Sequence, residues 1–419
     1  MAGSRNRQRM ITLDEIELAY PEVAGFVRRT PVMTTPTISG LCVDDEKASS
    51  PGKLYLKAEN LQKTGSFKIR GAYWRLSRLS DEEKARGVVC ASAGNHAQGV
   101  ALAAKQLGIS ATVFMPETAS IAKIRATRSY GAFVYLEGRN FDEAVIAAKA
   151  FEKRKQAVFV SAYDDDGIIC GQGTLGLELL DDIPDLDSVI IPIGGGGLFA
   201  GVARAIKSKR PEVRIVGVQA EGADTAVRSF AAGKLIKRTE PVSTICDGIA
   251  IKAPSARTFE YICELADEMV AVSDSSVASA LLLLVERMKL VVEPSGAAGL
   301  AALLSHRVSM HGKTAVLLCG GNIDLKLMSD LIEREMLKAN RYVHLFTWVV
   351  DKPGSLAKLL ESVAGQRGNI LTVNHDRISP VVPLGSTGVE LLIEVRDEDH
   401  RDQVIESLSR NGYVISMLT

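Results

Sequence analysis

Short apolar runs alternate with helical stretches along the chain as far as about residue 320. The apolar runs lie at 87–92, 111–115, 133–136, 159–162, 187–192, 214–219 and 314–319. The stretches between them, such as 67–78, 140–154 and 273–288, have the length and spacing of helices. Strands that alternate with helices at these lengths predict a parallel, doubly wound sheet, so we expect an α/β fold here.

The pattern changes after residue 325. A charged helix is predicted over 326–340, and a second set of elements follows it. The predicted order is a strand at 342–350, a helix at 356–365, strands at 369–378 and 389–395, a helix at 400–409 and a strand at 413–418. This βαββαβ order over about eighty residues is typical of a ferredoxin-like domain.

We therefore predict three parts along the 419 residues, a length that suits more than one domain. The first is a large domain at 1–325, in which a small lobe at about 55–158 is inserted in a large lobe. A helical linker at 326–340 and a separate domain at 341–419 complete the chain.

Composition limits the kinds of partner. The chain is 46% hydrophobic and 24% charged, with 50 basic and 50 acidic residues, so no net field attracts nucleic acid or a membrane surface. Six cysteines form no C-x-x-C pair, and no apolar segment follows the basic N-terminus as a signal peptide would require. These features predict reduced thiols and a cytoplasmic protein that contacts neither nucleic acid nor membrane.

One lysine stands in an unusual setting, in the segment KTGSFKIRGA at 63–72, the lysine segment. Lys68 lies between Phe67 and Ile69, so its amine is expected to be partly desolvated. Desolvation disfavours the ammonium form, and a neutral amine is what a Schiff base with an aldehyde cofactor requires. Taken alone, the same pattern would also suit an ordinary surface lysine in a Gly-Ser loop.

Four consecutive glycines, the tetraglycine turn, lie between a predicted strand and a predicted helix that begins near Leu198. Backbone N–H groups in such a turn can close around a phosphate, and the helix N-terminus adds positive potential. The alternative is a turn made of glycine only for tight packing. No P-loop or G-x-G-x-x-G pattern accompanies the turn, which argues against a nucleotide site. The four residues are Gly194, Gly195, Gly196 and Gly197.

A second turn of this kind, SAGNH at 92–96, also joins a predicted strand to a predicted helix. We call it the SAGNH turn. Exposed amides at its helix start would suit a carboxylate, although capping by Ser92 or Asn95 would use the same amides. His96 could serve as a general base, but a structural place in the turn is the preferred interpretation. Cys319, at the end of an apolar run, could be a nucleophile or a small buried residue.

Together these segments resemble those of the fold-type-II pyridoxal-phosphate enzymes. The form SFKIRGA of the lysine segment resembles the threonine and serine dehydratases in particular, and the segments RTP at 29–31 and EPSGA at 293–297 also match. The resemblance implies a two-lobed, tryptophan-synthase-β-like fold for residues 1–325 and pyridoxal phosphate as cofactor.

The resemblance also implies roles for single residues. Lys68 would hold the cofactor and take the substrate's Cα proton, and the tetraglycine turn with Leu198 would bind its phosphate. Asn95 would bond the ring hydroxyl, Cys319 would meet the pyridine nitrogen, and Phe67 and Gly248 would flank the ring. Substrate carboxylate would bind at Ser92, Ala93, Gly94, Asn95 and His96. The resemblance also implies a stabilising cation such as potassium or magnesium at Glu221, Ala223 and Asp224, and the alternative at this place is a solvated acidic loop.

The reaction implied is α,β-elimination from L-threonine to give 2-oxobutanoate and ammonia. Related alternatives are an L-serine dehydratase or a serine racemase, although Ala93 stands where racemases of this family carry a serine hydroxyl. A different kind of alternative is an amino-acid sensor whose catalytic lobes are vestigial. Retention of Lys68, Asn95 and the tetraglycine turn argues against that interpretation.

The C-terminal segment DKPGSL at 351–356 resembles the turn of ACT regulatory domains. By that resemblance an amino-acid effector would bind there, and the whole protein would form a homodimer or homotetramer. The alternative is a structural turn with proline near a helix start. The residues expected at the effector site are Asp351, Gly354, Ser355, Leu356, Asn369 and Ile370.

Overall fold

The computed structural model describes residues 9–43, 52–377 and 382–418. The chain divides into two compact units, Met1–Asp324 and Leu325–Thr419. Each unit is described by itself below.

The first unit alternates strands and helices, as the apolar pattern predicts. Its strands are β1 Val32–Thr34, β2 Lys53–Lys57, β3 Val88–Ala91, β4 Ala111–Met115, β5 Phe133–Leu136, β6 Val158–Phe159, β7 Ser188–Pro192, β8 Arg214–Ala220, β9 Glu268–Val272 and β10 Lys313–Leu317. Its helices are α1 Leu13–Phe26, α2 Pro36–Leu41, α3 Lys68–Ser77, α4 Asp81–Arg86, α5 Asn95–Gln106, α6 Ile121–Ser129, α7 Phe141–Lys155, α8 Asp166–Asp182, α9 Gly197–Lys209, α10 Thr225–Ala232, α11 Ala256–Leu265, α12 Asp274–Leu283 and α13 Pro294–Leu304.

Two sheets organise this unit. The larger has six strands in the order β1-β2-β10-β7-β8-β9, and every pair in it is parallel except β1 with β2. The smaller has four parallel strands in the order β5-β4-β3-β6. The predicted parallel α/β architecture is therefore confirmed. The smaller sheet starts at β3, later than the predicted lobe boundary near residue 55, because β2 pairs with β10 in the larger sheet.

The inner strands are apolar throughout because both of their faces are covered. All residues of β3, β4 and β7 are buried, as is usual for parallel strands with helices on both sides. Such runs need no alternation of polar and apolar residues, and for that reason they are easy to recognise in a sequence. The carboxyl ends of β3 and β7 carry the turns described below as the candidate site.

A pair of glycines lets the helix that carries Lys68 pack tightly against α8. A Cβ added at Gly171 would come within 2.7 Å of the Cα of Gly71 and of the carbonyl oxygen of Arg70. A Cβ added at Gly71 would come within 2.7 Å of the carbonyl oxygen of Ile168. Backbones that approach this closely leave no room for a side chain, so the two glycines fix the position in which α3 packs on α8.

Charged side chains are buried beside the contact between α3 and α8, and we call them the buried ion-pair network. Arg70 donates to Glu59 at 2.7 Å and to Glu178 at 2.8 Å. Lys57 donates to Glu178 at 2.7 Å and to Asp182 at 2.8 Å. Arg70, Glu59 and Lys57 are wholly buried, so losing one partner would leave an uncompensated charge away from water. The network joins α3, β2 and α8 two residues after Lys68.

The second unit begins with a helix and continues as a βαββαβ fold. Its elements are α14 Leu325–Lys338, β11 Tyr342–Val350, α15 Ser355–Gly365, β12 Asn369–Asp376, β13 Ser386–Glu394, α16 Glu398–Arg410 and β14 Ser416–Met417. Its four strands form an antiparallel sheet in the order β12-β13-β11-β14, and its own apolar core includes Leu345, Leu391 and Val404. This is the ferredoxin-like strand order that the sequence predicts.

The main differences from the predicted elements lie between residues 220 and 290 and at the C-terminus. Helices α10 and α11 and strand β9 were not predicted. The single helix expected at 273–288 consists of two parts: the α-helix α12, and a π-helical turn at Leu284–Met288 that follows it. The last strand, expected at 413–418, contains only Ser416–Met417 because two residues of β11 pair with it.

Candidate active site

A cavity of about 330 Å³ lies where β3, β7 and β10 end in the first unit. Parallel sheets commonly bind ligands at the carboxyl ends of their strands. The cavity brings together every residue of the predicted catalytic, cofactor and substrate sets. These are Phe67, Lys68, Ser92, Ala93, Gly94, Asn95, His96, Gly194, Gly195, Gly196, Gly197, Leu198, Gly248 and Cys319.

Backbone pairing holds the lysine segment at the end of β10. Ser66 forms an isolated bridge with Gly320, and the Phe67 N–H donates to the Cys319 carbonyl at 3.2 Å. Lys68 is then the first residue of α3, and its Nζ donates to the Ala162 carbonyl at 2.9 Å. Burial lowers the pKa of Lys68 to about 8, against an opposing effect of Glu293 and Cys319. A sizeable neutral fraction is therefore available near neutral pH.

The tetraglycine turn owes its glycines to close neighbours. A Cβ at Gly195 would lie 2.1 Å from ring carbons of Tyr163, and one at Gly196 would lie 2.8 Å from the Cβ of Thr258. Gly196 also has a φ of +88°, which favours glycine. No described side chain caps α9, so the first amides of that helix remain available to an anion.

The SAGNH turn opens α5 in the smaller sheet. No described side chain caps this helix either, and the Ser92 hydroxyl instead accepts from the Gly94 N–H at 3.1 Å, within the turn. The capping alternative is therefore not what the structure shows. The first amides of α5 are available at the cavity, and a carboxylate is a suitable ligand for them.

His96 is buried below this turn. Its Nε2 lies 3.0 Å from the Val160 carbonyl, to which it donates. Burial, helped by the charge of Lys68, lowers the pKa of His96 to about 3. The imidazole is therefore neutral at ordinary pH, and its hydrogen bond to the backbone suits the structural place expected for it.

Among the cavity residues that were given no role on sequence grounds, Glu293 and Asn322 are hydrogen-bonded to Asn95. Asn95 Nδ2 donates to the two carboxylate oxygens of Glu293 at 2.8 and 3.0 Å, and Asn322 Nδ2 donates to Asn95 Oδ1 at 2.5 Å. Burial raises the pKa of Glu293 to about 7, with a further contribution from Asp247. The available signal was a single acid in an apolar stretch just before a helix that starts with proline.

The far side of the cavity is formed by Cys319 and Gly248. Burial raises the pKa of Cys319 well above its usual value, and its Sγ lies 3.4 Å from the Leu317 carbonyl, so it is a neutral thiol. A Cβ at Gly248 would come within 2.9 Å of Ser295 Oγ and 3.1 Å of Ser295 Cβ, so a side chain there would have to displace Ser295. A flat ligand face could lie against such a side-chain-free position.

Two ion pairs join the lobes near the mouth of the cavity, and we call them the cross-cleft pairs. Lys123 on α6 contacts Asp247 at 2.5 Å, and Lys252 contacts Asp142 on α7 at 2.8 Å. All four side chains are at least partly exposed, so each pair adds little stability and is sensitive to salt.

The residues predicted to hold a cation lie after β8. Asp224 pairs with Arg228 at 3.1 Å, and Glu221 pairs with Arg307 at 3.5 Å. Within the described parts of the chain, no group of three or more His, Cys, Asp or Glu side chains is placed to hold a metal ion. Cation binding at this position stays a prediction.

The residues predicted to bind an effector are only partly brought together. Asp351, Ser355 and Leu356 line a small pocket of the second unit, and Gly354 caps α15 with a φ of +89°. Asn369 and Ile370 lie instead at the start of β12, where Asn369 donates to Glu394 at 2.9 Å. The pocket meets the other end of that strand, at His375.

Two further observations concern the chain as a whole. Among the residues that the structure describes, no helix combines the length and the apolar character that crossing a membrane requires. All six cysteines lie in the described ranges, and all are free thiols.

The cavity suits a ligand that carries both an aldehyde and a phosphate. It holds a lysine whose pKa is lowered and, in the same space, a turn of four glycines at an uncapped helix start. Its volume of about 330 Å³ falls within the range of small-ligand pockets, roughly 300–1,000 Å³. Cys319 and Asn95 offer polar atoms in the same cavity. These residues fit pyridoxal phosphate.

Comparison with known proteins agrees with the geometry. Residues 23–320 match the family described as "Pyridoxal-phosphate dependent enzyme". The chain is 44% identical to the L-threonine ammonia-lyase of Thermotoga maritima and 46% identical to that of Geobacter sulfurreducens, over 98% of this chain and 100% of each relative. The structure of maize serine racemase superposes with a TM-score of 0.72 and 35% identity, covering 79% of this chain and all of that one. The chain belongs to the family of pyridoxal-phosphate dependent enzymes.

Proposed function

We propose that this protein is an L-threonine ammonia-lyase that converts L-threonine into 2-oxobutanoate and ammonia. The observation that carries the proposal is the placement of the Lys68 amine in one cavity with the tetraglycine and SAGNH turns. The choice of threonine is supported by two relatives that bear this name and match the chain over nearly its whole length.

Pyridoxal phosphate supplies the chemistry that side chains lack, because when bound it links to the amino group of an amino acid and spreads the charge left at Cα. The amides of the tetraglycine turn and of Leu198 would hold its phosphate. Asn95 would donate to its ring hydroxyl. Cys319, a neutral thiol, would face the ring nitrogen without holding it protonated as an aspartate would.

Lys68 performs the proton transfer in this proposal. Its pKa of about 8 lets the amine exchange between neutral and charged forms near neutral pH. As a neutral amine, Nζ accepts the proton from Cα of the bound substrate. Phe67 lies beside it, with Nζ 5.2 Å from the ring centre, and helps to exclude water.

The SAGNH turn orients the substrate. Amides at the start of α5 would bind the α-carboxylate, which fixes the direction in which the Cα–H bond points. Departure of the β-hydroxyl with a proton removes one water. Uptake of one water then releases 2-oxobutanoate and ammonia, so the overall reaction balances.

The test is release of 2-oxobutanoate from threonine by the purified protein, compared with Lys68→Ala. Wild type should show both a visible absorption band from the cofactor and keto-acid release. The variant should lose the keto-acid release and change the band. Wild-type protein that binds the cofactor but releases no keto acid from threonine would overturn the proposal.

Serine racemase activity is the second candidate, favoured by the superposition on the maize enzyme. Racemisation requires an acid or base on the second face of Cα. Ala93 has no hydroxyl, and the Ser92 hydroxyl is engaged with Gly94. Supplying L-serine and measuring pyruvate and D-serine separately distinguishes serine dehydratase, racemase and threonine-specific activity. The sensor alternative predicts no product from either substrate.

We also propose that the second unit is an ACT domain that binds an amino acid and regulates the enzyme. The support is its βαββαβ order and the pocket at Asp351, Ser355 and Leu356. Keto-acid release should be repeated with isoleucine and with valine. Inhibition by isoleucine would support a role in isoleucine biosynthesis, and indifference to both would count against regulation at this pocket.

Three smaller proposals complete the picture. The protein is proposed to be a cytoplasmic homodimer or homotetramer, and its six free thiols suit a reducing compartment. Light scattering on the purified protein would determine the assembly. A cation at Glu221, Ala223 and Asp224 would show as a dependence of thermal stability on potassium or magnesium.

A further inference from the structure

We propose that Glu293 and Asn322 are positioning residues that lock the amide of Asn95 in one orientation, with its free N–H toward the cofactor. This inference rests on the proposed function, since it assumes that the cavity holds pyridoxal phosphate. It concerns residues that the sequence motifs left without a role.

The lock begins at Asn322. Its Nδ2 carries two hydrogens, and it donates to the Thr64 carbonyl at 2.9 Å and to Asn95 Oδ1 at 2.5 Å. Thr64 belongs to the lysine segment, so this side chain ties that segment to the SAGNH turn. Because Asn322 spends both hydrogens, the Asn95 atom that faces it must be an acceptor, which identifies it as the oxygen.

The other end of the Asn95 amide faces Glu293. The carboxylate oxygens lie 2.8 and 3.0 Å from Asn95 Nδ2, an arrangement that a single N–H can satisfy. The second N–H of Asn95 therefore remains for the cavity, which Asn95 lines. A flipped amide would set donor against donor at Asn322 and oxygen against carboxylate at Glu293, so two hydrogen bonds would be lost.

The backbone at Gly320 packs closely against both Glu293 and Asn95. Glu293 is 4% exposed, and a Cβ at Gly320 would come within 2.6 Å of its Oε1 and 3.1 Å of Asn95 Nδ2. The charged or titratable groups around it are Lys68 on α3, Lys123 on α6, Asp247 and Cys319. A buried carboxylate in this position needs a donor, and Asn95 is the side chain that supplies it.

The experiment measures cofactor binding, so it does not depend on turnover. The dissociation constant of pyridoxal phosphate and the visible spectrum of the bound cofactor are measured for Glu293→Ala, Glu293→Asp, Glu293→Gln and Asn322→Ala. Asn60→Ala is the control, since Asn60 is a buried amide that donates to the Val291 carbonyl at 3.0 Å and is not among the residues that line the cavity. Thermal unfolding of each variant reports whether it folds.

The lock predicts a particular order among the variants. Glu293→Ala and Asn322→Ala should weaken cofactor binding about tenfold, the worth of roughly one hydrogen bond, and shift the absorption band. Glu293→Gln should stay within about twofold of wild type because its amide oxygen still accepts from Asn95. Glu293→Asp, whose carboxylate is one methylene shorter, should lose about as much cofactor affinity as Glu293→Ala. It keeps the test decisive if Glu293→Ala folds poorly.

Three outcomes would overturn the inference. The first is wild-type affinity and spectrum in both Asn322→Ala and Glu293→Ala. The second is an equal loss of affinity in the Asn60 control. The third is the reverse order, with Asp like wild type and Gln like Ala, because Glu293 would then act through its charge. Wild-type protein that binds pyridoxal phosphate but leaves threonine intact would refute the proposed function alone, since these readouts need no reaction.

Discussion

The two helix starts at the cavity come from different sheets and are built in different ways. The tetraglycine turn, between β7 and α9, presents only backbone, and its shape is set by neighbours such as Tyr163 and Thr258. The SAGNH turn, between β3 and α5, carries side chains that are hydrogen-bonded to distant parts of the unit, as Asn95 is to Glu293.

This difference suggests how one cavity could bind two anionic groups, the cofactor phosphate and the substrate carboxylate of the proposed function. A backbone turn with no titratable group binds a phosphate through amides and helix potential over a wide pH range. A turn with side chains can also fix direction and respond to protonation, which a reacting substrate requires. On the proposed function, the first turn would hold the phosphate and the second would orient the substrate.

The largest expected effect comes from filling the tetraglycine turn. In Gly195→Ala, the new Cβ would lie 2.1 Å from the Tyr163 ring, so the ring or the turn must shift. Overpacking of this kind costs about 2 kcal/mol, or about 30-fold in cofactor affinity, which equilibrium dialysis would measure. Unchanged affinity would contradict this expectation and show that filling this position does not disturb the phosphate site.

Removing the obstructing ring should recover part of that loss. In the double variant Tyr163→Ala with Gly195→Ala, the added Cβ has room, so cofactor affinity should return to within a few-fold of Tyr163→Ala alone. A double-mutant cycle should give a coupling of about 1–2 kcal/mol. Additive losses would mean that Tyr163 does not shape the turn.

The buried histidine of the SAGNH turn should reveal itself through pH. Its pKa is about 3 when folded and near 6.5 when unfolded, so the unfolded chain binds the extra proton between these values. Its neutral state therefore costs nothing above about pH 6.5, and stability falls as the pH drops below that, by about 2 kcal/mol at pH 5.

In His96→Gln, the thermal unfolding midpoint should decline less between pH 7.5 and pH 5 than in wild type. His311→Gln, which changes an exposed histidine of the same unit, is the matched control and should keep the wild-type decline. If both variants follow the wild-type curve, His96 is not buried in its neutral form.

The smallest effect on the cofactor is expected at Gly94. No described atom lies within 4 Å of a Cβ added there, in contrast to Gly195. Gly94→Ala should therefore bind pyridoxal phosphate within about twofold of wild type, and any effect should fall on the KM for threonine. A loss of cofactor affinity as large as that of Gly195→Ala would erase the distinction between the two turns.

Much of the fold could be predicted because the inner strands are continuous apolar runs bounded by turn residues. The predicted range 111–115 coincides with the inner strand β4, and the range 133–136 coincides with the edge strand β5, which is also an apolar run. Helices α10 and α11 and strand β9 were missed because their lengths and boundaries depend on packing against β8 and α9, which no local pattern records. The strand at the C-terminus was overestimated because only its partner on β11 decides how many residues pair.

The site divides in the same way. Lys68 and the tetraglycine turn could be identified because, in each case, the residues that form the signal lie next to one another in the sequence. The role of Glu293 could not, since its partner Asn95 is 198 residues away and the contact exists only after folding. Asn322 reaches Asn95 over a separation of 227 residues, and it was missed for the same reason.

The buried ion-pair network and the cross-cleft pairs should respond differently to high ionic strength. Dissolved ions reach Lys252 and Asp142, whose side chains are 56% and 66% exposed, but they do not reach Arg70 or Glu59. High salt should therefore weaken the cross-cleft pairs between the lobes, while the ion pairs beside α3, the helix that begins at Lys68, remain unchanged. The contact between the lobes and the packing of the helix that carries Lys68 therefore involve separate sets of charges, and dissolved ions reach only the first set.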